Sequence, residues 1–171
     1  MTAESLRKKL KKDNAFDIAF NYCAITAFGG FGVYLFFDIL FTHHIIRQPS
    51  NLIYLVPAFF ILFAIYGFWQ IPRDFIVVQI DSTKSMEEKR TIIDSYFTNK
   101  TGNVRVNKDS ARFLYPGNIF LDLRVNIYFD EKKVIFNVHA VNMKGQSSGF
   151  IDFGMTRRAM KKLRWYLEGY L

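Results

Sequence analysis

Five cations fall within eight positions near the C-terminus: Arg157, Arg158, Lys161, Lys162 and Arg164. Guanidinium and ammonium groups at that density attract phosphate headgroups, nucleotides or nucleic acid. The stretch before them, 143–149 (MKGQSSG), is rich in small donor residues and adds Lys144. Arg157, Arg158, Lys161, Lys162 and Lys144 are therefore the candidate anion-binding residues. The alternative is the solvated outer face of an amphipathic helix. Nucleic acid is disfavoured, because aromatic stacking residues are not interleaved with these cations.

Other chemistry is absent from the pattern. There is no P-loop, nucleophile elbow, zinc-protease motif or dinucleotide fingerprint. His139 is the only histidine after residue 72 and falls within a strand-like run, which favours a structural role. Asp122 and Asp130 share an alternating face, but eight residues of strand separate them by about 27 Å, too far for paired acid–base work. His43 and His44 are adjacent, without cysteine or carboxylate partners at ligand spacing, so no metal site is expected. Cys23 is the sole cysteine, which excludes an intrachain disulfide framework and suits a reducing compartment. No enzyme activity and no cofactor are expected.

The elements that must position the cations begin with two uncharged apolar runs, 18–37 and 52–71. About twenty helical residues span ~30 Å, the thickness of a bilayer's hydrocarbon core. The first run is too long for a signal peptide, and Asp38, Ile39, Leu40 and Phe41 follow it rather than small residues. The reading is a transmembrane hairpin over 15–72, with helices at about 16–41 and 52–71. Residues 1–14 form a basic tail carrying Arg7, Lys8, Lys9, Lys11 and Lys12, whereas the loop between the spans carries only Arg47. That asymmetry places both termini in the cytoplasm and the chain in the inner (plasma) membrane.

Ala19, Cys23, Thr26, Ala27 and Gly30 fall at helical spacing on the first span. Small faces let membrane helices approach closely, so this stripe is expected to pack on the second span or on another subunit. A pore wall is the sharper alternative, with Asn21 and the 29–32 glycine cluster supporting a rearrangement. Pro57 removes a backbone donor from the second span.

Residues 73–171 read as a cytosolic α+β domain: an antiparallel sheet with two helices, in the order β-α-β-β-β-β-α. Residues 75–80 are β-branched and strand-like. Ser85 and Glu88 fit a capping box before a helix ending near Lys100. Two short strands are expected at 103–107 and 111–115. From Ile119 to Phe129 the odd positions are apolar and the even ones largely polar, the period of a half-buried strand. Asp130–Lys133 then turns the chain into a partner strand over 134–140. Residues 155–171 form the basic helix.

The expected function is that of a non-catalytic membrane protein whose cytosolic domain binds a protein partner or further copies of itself. The competing expectation is a ligand-gated membrane effector. Its basic domain would sense a small anionic messenger such as a cyclic nucleotide, and its assembled spans would perturb the bilayer.

Overall fold

The computed structural model describes residues 1–42, 51–98, 103–107, 109–117, 121–142, 152 and 154–171. Two long apolar helices near the N-terminus precede a small domain of antiparallel sheet and helices.

The stretch read as a basic tail is itself a helix, α1 (Ala3–Asp13). A capping box starts it: Thr2 Oγ1 accepts from the Ser5 backbone N–H at 3.1 Å, and the Thr2 N–H donates to Ser5 Oγ at 3.0 Å. Leu6 and Leu10, one turn apart, form its buried face against Phe75 and Ile135, while its lysines stay in solvent. Only Asn14 separates it from α2 (Ala15–Thr42).

Helix α2 packs along α3 (Leu55–Gln70), which a 3-10 turn at Asn51–Tyr54 introduces. The contact runs through small groups. A Cβ added at Gly32 would lie 2.9 Å from Phe60 Cβ and 3.1 Å from the Pro57 carbonyl oxygen, and one added at Gly29 would lie 3.0 Å from Ala64 Cβ. Ile25, Ala64 and Ile71 form the buried apolar centre of the pair. Elsewhere the helices turn their large side chains outward. Only 11% and 17% of their most apolar stretches is buried. By length and composition both are able to cross a membrane.

A second 3-10 turn, Ile71–Phe75, leads into the sheet. The turn takes Phe75, the first residue of the stretch expected as a strand, and extended pairing begins only at Val78, because Pro72 and the turn's own hydrogen bonds delay it. The strands are β1 (Val78–Asp81), β2 (Asn103–Val106), β3 (Ser110–Pro116), β4 (Leu121–Phe129) and β5 (Lys133–Asn142). All pairings are antiparallel and the order is β1-β5-β4-β3-β2. Helix α4 (Met86–Phe97) carries the expected Ser85–Glu88 capping box, and α5 (Met155–Tyr170) closes the chain.

One sheet face builds the main core. Leu123, Val125, Ile127 and Phe129 of β4 and Val134, Phe136 and Val138 of β5 meet Ile93 and Phe97 of α4 and Leu163 and Leu167 of α5. Phe97 stacks on Phe113 with centroids 3.8 Å apart. The opposite face of β5 is buried as well, because α1 and the second 3-10 turn lie over it. Strand β5 is therefore covered on both sides.

Lys89 of α4 is fully buried. Its Nζ donates to the carbonyl oxygens of Ser82 (3.2 Å), Asp130 (2.8 Å) and Glu131 (2.7 Å). One ammonium thus ties the β1–α4 connection and the β4–β5 turn to the same helix.

Candidate functional site

Helical geometry divides the basic cluster. Arg157, Lys161 and Arg164 recur at i, i+4 and i+7 and share one face of α5. That face turns toward the C-terminal end of α3 and lines a groove of about 700 Å³. Arg158 and Lys162 lie on the neighbouring face and are exposed. Lys162 is near α4: burial pushes the Tyr96 phenol up, and the Lys162 charge partly offsets this. Of the expected anion residues, Arg157 and Lys161 meet in the groove, and Arg158 and Lys162 do not. Arg164, outside the candidate set, joins the groove. Lys144, the 143–149 loop and His43–His44 lie outside the described residues.

The opposite wall comes from the end of α3 and the turn after it. Tyr66 and Trp69 supply its aromatic surface. The Arg73 guanidinium lies 3.2 Å above the Trp69 ring, stacked on its face, which leaves the N–H donors in the guanidinium plane. Ile76, Val78 and Met160 make the floor apolar.

A buried polar joint fixes the two walls. Gln70, at the last turn of α3, donates from Nε2 to Asp152 Oδ1 at 3.0 Å and lies 3.5 Å from Asp74 Oδ1. The same Asp152 carboxylate accepts from the Gly154 N–H at 2.8 Å and the Thr156 N–H at 2.9 Å, capping the start of α5. Gly154 is in the left-handed region (φ 77°), a turn that glycine makes without strain. Gln70, Asp74 and Asp152 are all buried. Thr156 also lines the groove. It is 2% exposed, and its Oγ1 has no hydrogen-bond partner among the described residues.

A second polar layer lies on the sheet face toward the hairpin. Arg112 Nε donates to Asn126 Oδ1 at 3.0 Å. Asn137 Nδ2 donates to the carbonyl oxygens of Asp74 and Ile76, both at 2.8 Å, holding the second 3-10 turn against β5. His139 Nδ1 is 2.9 Å from Asn137 Oδ1. Burial pushes the His139 pKa down to about 3, and the Arg124 and Arg112 charges add to that. The ring is neutral at physiological pH, and with Nδ1 protonated it donates to Asn137. Burial also lowers Arg124, with Arg112 adding to the effect and Asp17 opposing it.

The small-residue stripe faces away from α3. Ala19, Cys23, Thr26, Ala27 and Gly30 are all exposed, and a Cβ at Gly30 would meet nothing within 4 Å. Packing of the first helix on the second uses Ile25, Gly29 and Gly32 instead. The stripe is a true helical face of small residues, but the contact with α3 selects a face about 100° or more around the helix from it. Among the described residues no three His, Cys, Asp or Glu side chains cluster as a metal site would require.

Compared with known protein families, with curated proteins and with solved structures, the chain matches none.

Proposed function

We propose that this chain is an integral protein of the inner (plasma) membrane, in which the α2–α3 hairpin anchors a non-catalytic cytosolic binding domain. The observation that carries this reading is the outward apolar surface of the hairpin. Phe16, Phe20, Tyr34, Phe41, Phe59 and Leu62 are each more than 60% exposed on helices that a bilayer would cover. The helices pair through glycines and alanine, as helices do where lipid rather than water is the solvent. Helix α1 rests on the sheet, so both ends of the hairpin belong to the same side, as the basic residues also indicate.

The binding partner is a membrane protein or a further copy of this chain, with the exposed small-residue face of α2 available to it. The groove favours a second reading, a sensor of a small anionic ligand. Its walls come from both the hairpin and the domain, so an occupant would touch both. Membrane fractionation followed by alkaline carbonate extraction tests the anchor: the chain should remain in the pellet, and release into the supernatant would refute it. Reporter fusions at Leu171 should read cytoplasmic.

A further inference from the structure

The groove between α3 and α5 has the chemistry of a phosphate site placed at a bilayer surface. We propose that it binds the phosphate of an anionic phospholipid from the surrounding membrane, a proposal that rests on the membrane reading above.

Four observations converge on that occupant. Arg157 and Lys161 of α5 face Arg73 across the groove, and neither α5 residue has an ion pair among the described residues. Arg164 stands beside them, with Glu168 Oε1 2.7 Å from its Nε. Trp69 and Tyr66 end the second apolar helix, the depth at which amphipathic rings sit among headgroups. The floor is apolar, which suits a glycerol backbone and the start of an acyl chain better than a fully hydrated ion. The Thr156 hydroxyl is buried beside the groove with no hydrogen-bond partner among the described residues, and a phosphate oxygen would accept its proton. The buried Asp152 carboxylate accepts from Gln70 and two backbone N–H groups, so its hydrogen-bonding capacity is spent on the joint between the walls.

Helix α5 supplies an internal control. Arg158 and Lys162 carry the same charge on the same helix but face away from the groove. General attraction to an anionic surface would weigh both pairs alike, because it depends on charge and distance from the bilayer. A site would weigh only the groove pair.

The test uses the full chain in nanodiscs. Trp165 is exposed and is the only tryptophan besides Trp69, so Trp165→Phe leaves Trp69 as the sole indole reporter. Acyl-brominated phosphatidylglycerol is titrated into phosphatidylcholine discs, and quenching of Trp69 is read against mole fraction. Removing two groove cations should raise the half-quenching mole fraction by roughly tenfold. That is the expectation for Arg157→Gln with Lys161→Gln, while Arg158→Gln with Lys162→Gln should leave the curve in place. Thr156→Val should shift it in the same direction as the groove pair, by less. Equal shifts for the two charge pairs, or none for either, would overturn the proposal. So would displacement of the lipid by inorganic phosphate or a cyclic nucleotide, which would assign the groove to a free anion. Failure of the chain to enter discs, seen before any titration, would instead overturn the membrane reading and the lipid proposal with it.

Discussion

The hairpin and the domain are built inside out with respect to each other. In the domain, phenylalanine, valine and isoleucine point inward and most charges outward. In the hairpin, glycine and alanine lie at the closest approach of the helices, Phe28 and Phe31 meet Phe60 beside them, and most other phenylalanine, tyrosine and leucine side chains point outward. The same side chain therefore has opposite energetic roles in the two regions. A phenylalanine in the sheet core gains by leaving water, whereas one on the hairpin face gains only if something apolar covers it. The contrast is the one that two solvents within one chain would produce.

The largest effect should come from the domain core. Phe97→Ala removes a ring stacked on Phe113 and should cost about 3–5 kcal/mol of domain stability. Phe20→Ala, on the outer face of α2, should cost less than about 0.5 kcal/mol. Urea unfolding of both variants in the same lipid discs, followed by circular dichroism, checks the pair. Similar losses would break the contrast.

Charge handling differs in the same way. The domain buries Lys89 by giving it three carbonyl acceptors. Lys89→Met should leave those carbonyls short of a donor and cost roughly 2–3 kcal/mol, read from the same unfolding curves.

Within the hairpin, the contrast sharpens to two faces of one helix. Gly32→Ala forces a Cβ against Phe60 and the Pro57 carbonyl, and should weaken the helix pair by about 1–2 kcal/mol. Gly30→Ala meets open space and should be neutral, or stabilising by up to about 1 kcal/mol through helix propensity. Thermal aggregation temperature in detergent separates the two.

A further effect is pH-dependent and belongs to the domain. His139 stays neutral in the folded chain down to about pH 3, whereas the unfolded chain protonates it near the ordinary 6.5. Its neutral form costs nothing above that pH. As pH falls below 6.5, the unfolded state takes up a proton that the folded state refuses, so stability drops by up to about 1.4 kcal/mol per pH unit. Unfolding measured between pH 7 and pH 5 should show this slope in the parent, and His139→Gln should flatten it.

Much of this architecture is legible in the residue order. The alternation from Leu121 to Phe129, the Ser85–Glu88 box and the two apolar runs each depend on neighbours in sequence, so local periodicity reveals them. Helix α1 was less visible, because four lysines and an arginine surround Leu6 and Leu10 and make the stretch read as a tail. The second face of β5 was hidden for a related reason: what covers it comes from α1 and the second 3-10 turn. The joint that builds the groove was not legible at all. Gln70 and Asp152 are 82 positions apart, and no local pattern links them. The division of the basic cluster, by contrast, follows from 3.6 residues per turn. Positions 157, 161 and 164 share a face that 158 and 162 do not, and counting turns along α5 separates them.

Lipid is the proposed cover of the hairpin, and Cys23 reports on that directly. It is the chain's sole cysteine and lies on the exposed face of α2. A membrane-impermeant maleimide applied to intact and to opened native membrane vesicles measures whether water reaches it. A thiol held in hydrocarbon is out of contact with a charged reagent. Cys23 should stay unlabelled in both preparations and label fully once detergent and denaturant are added, while a Glu168→Cys control in a Cys23→Ala background labels in opened vesicles. Labelling of Cys23 in intact membranes at the rate of that exposed control would contradict a lipid cover.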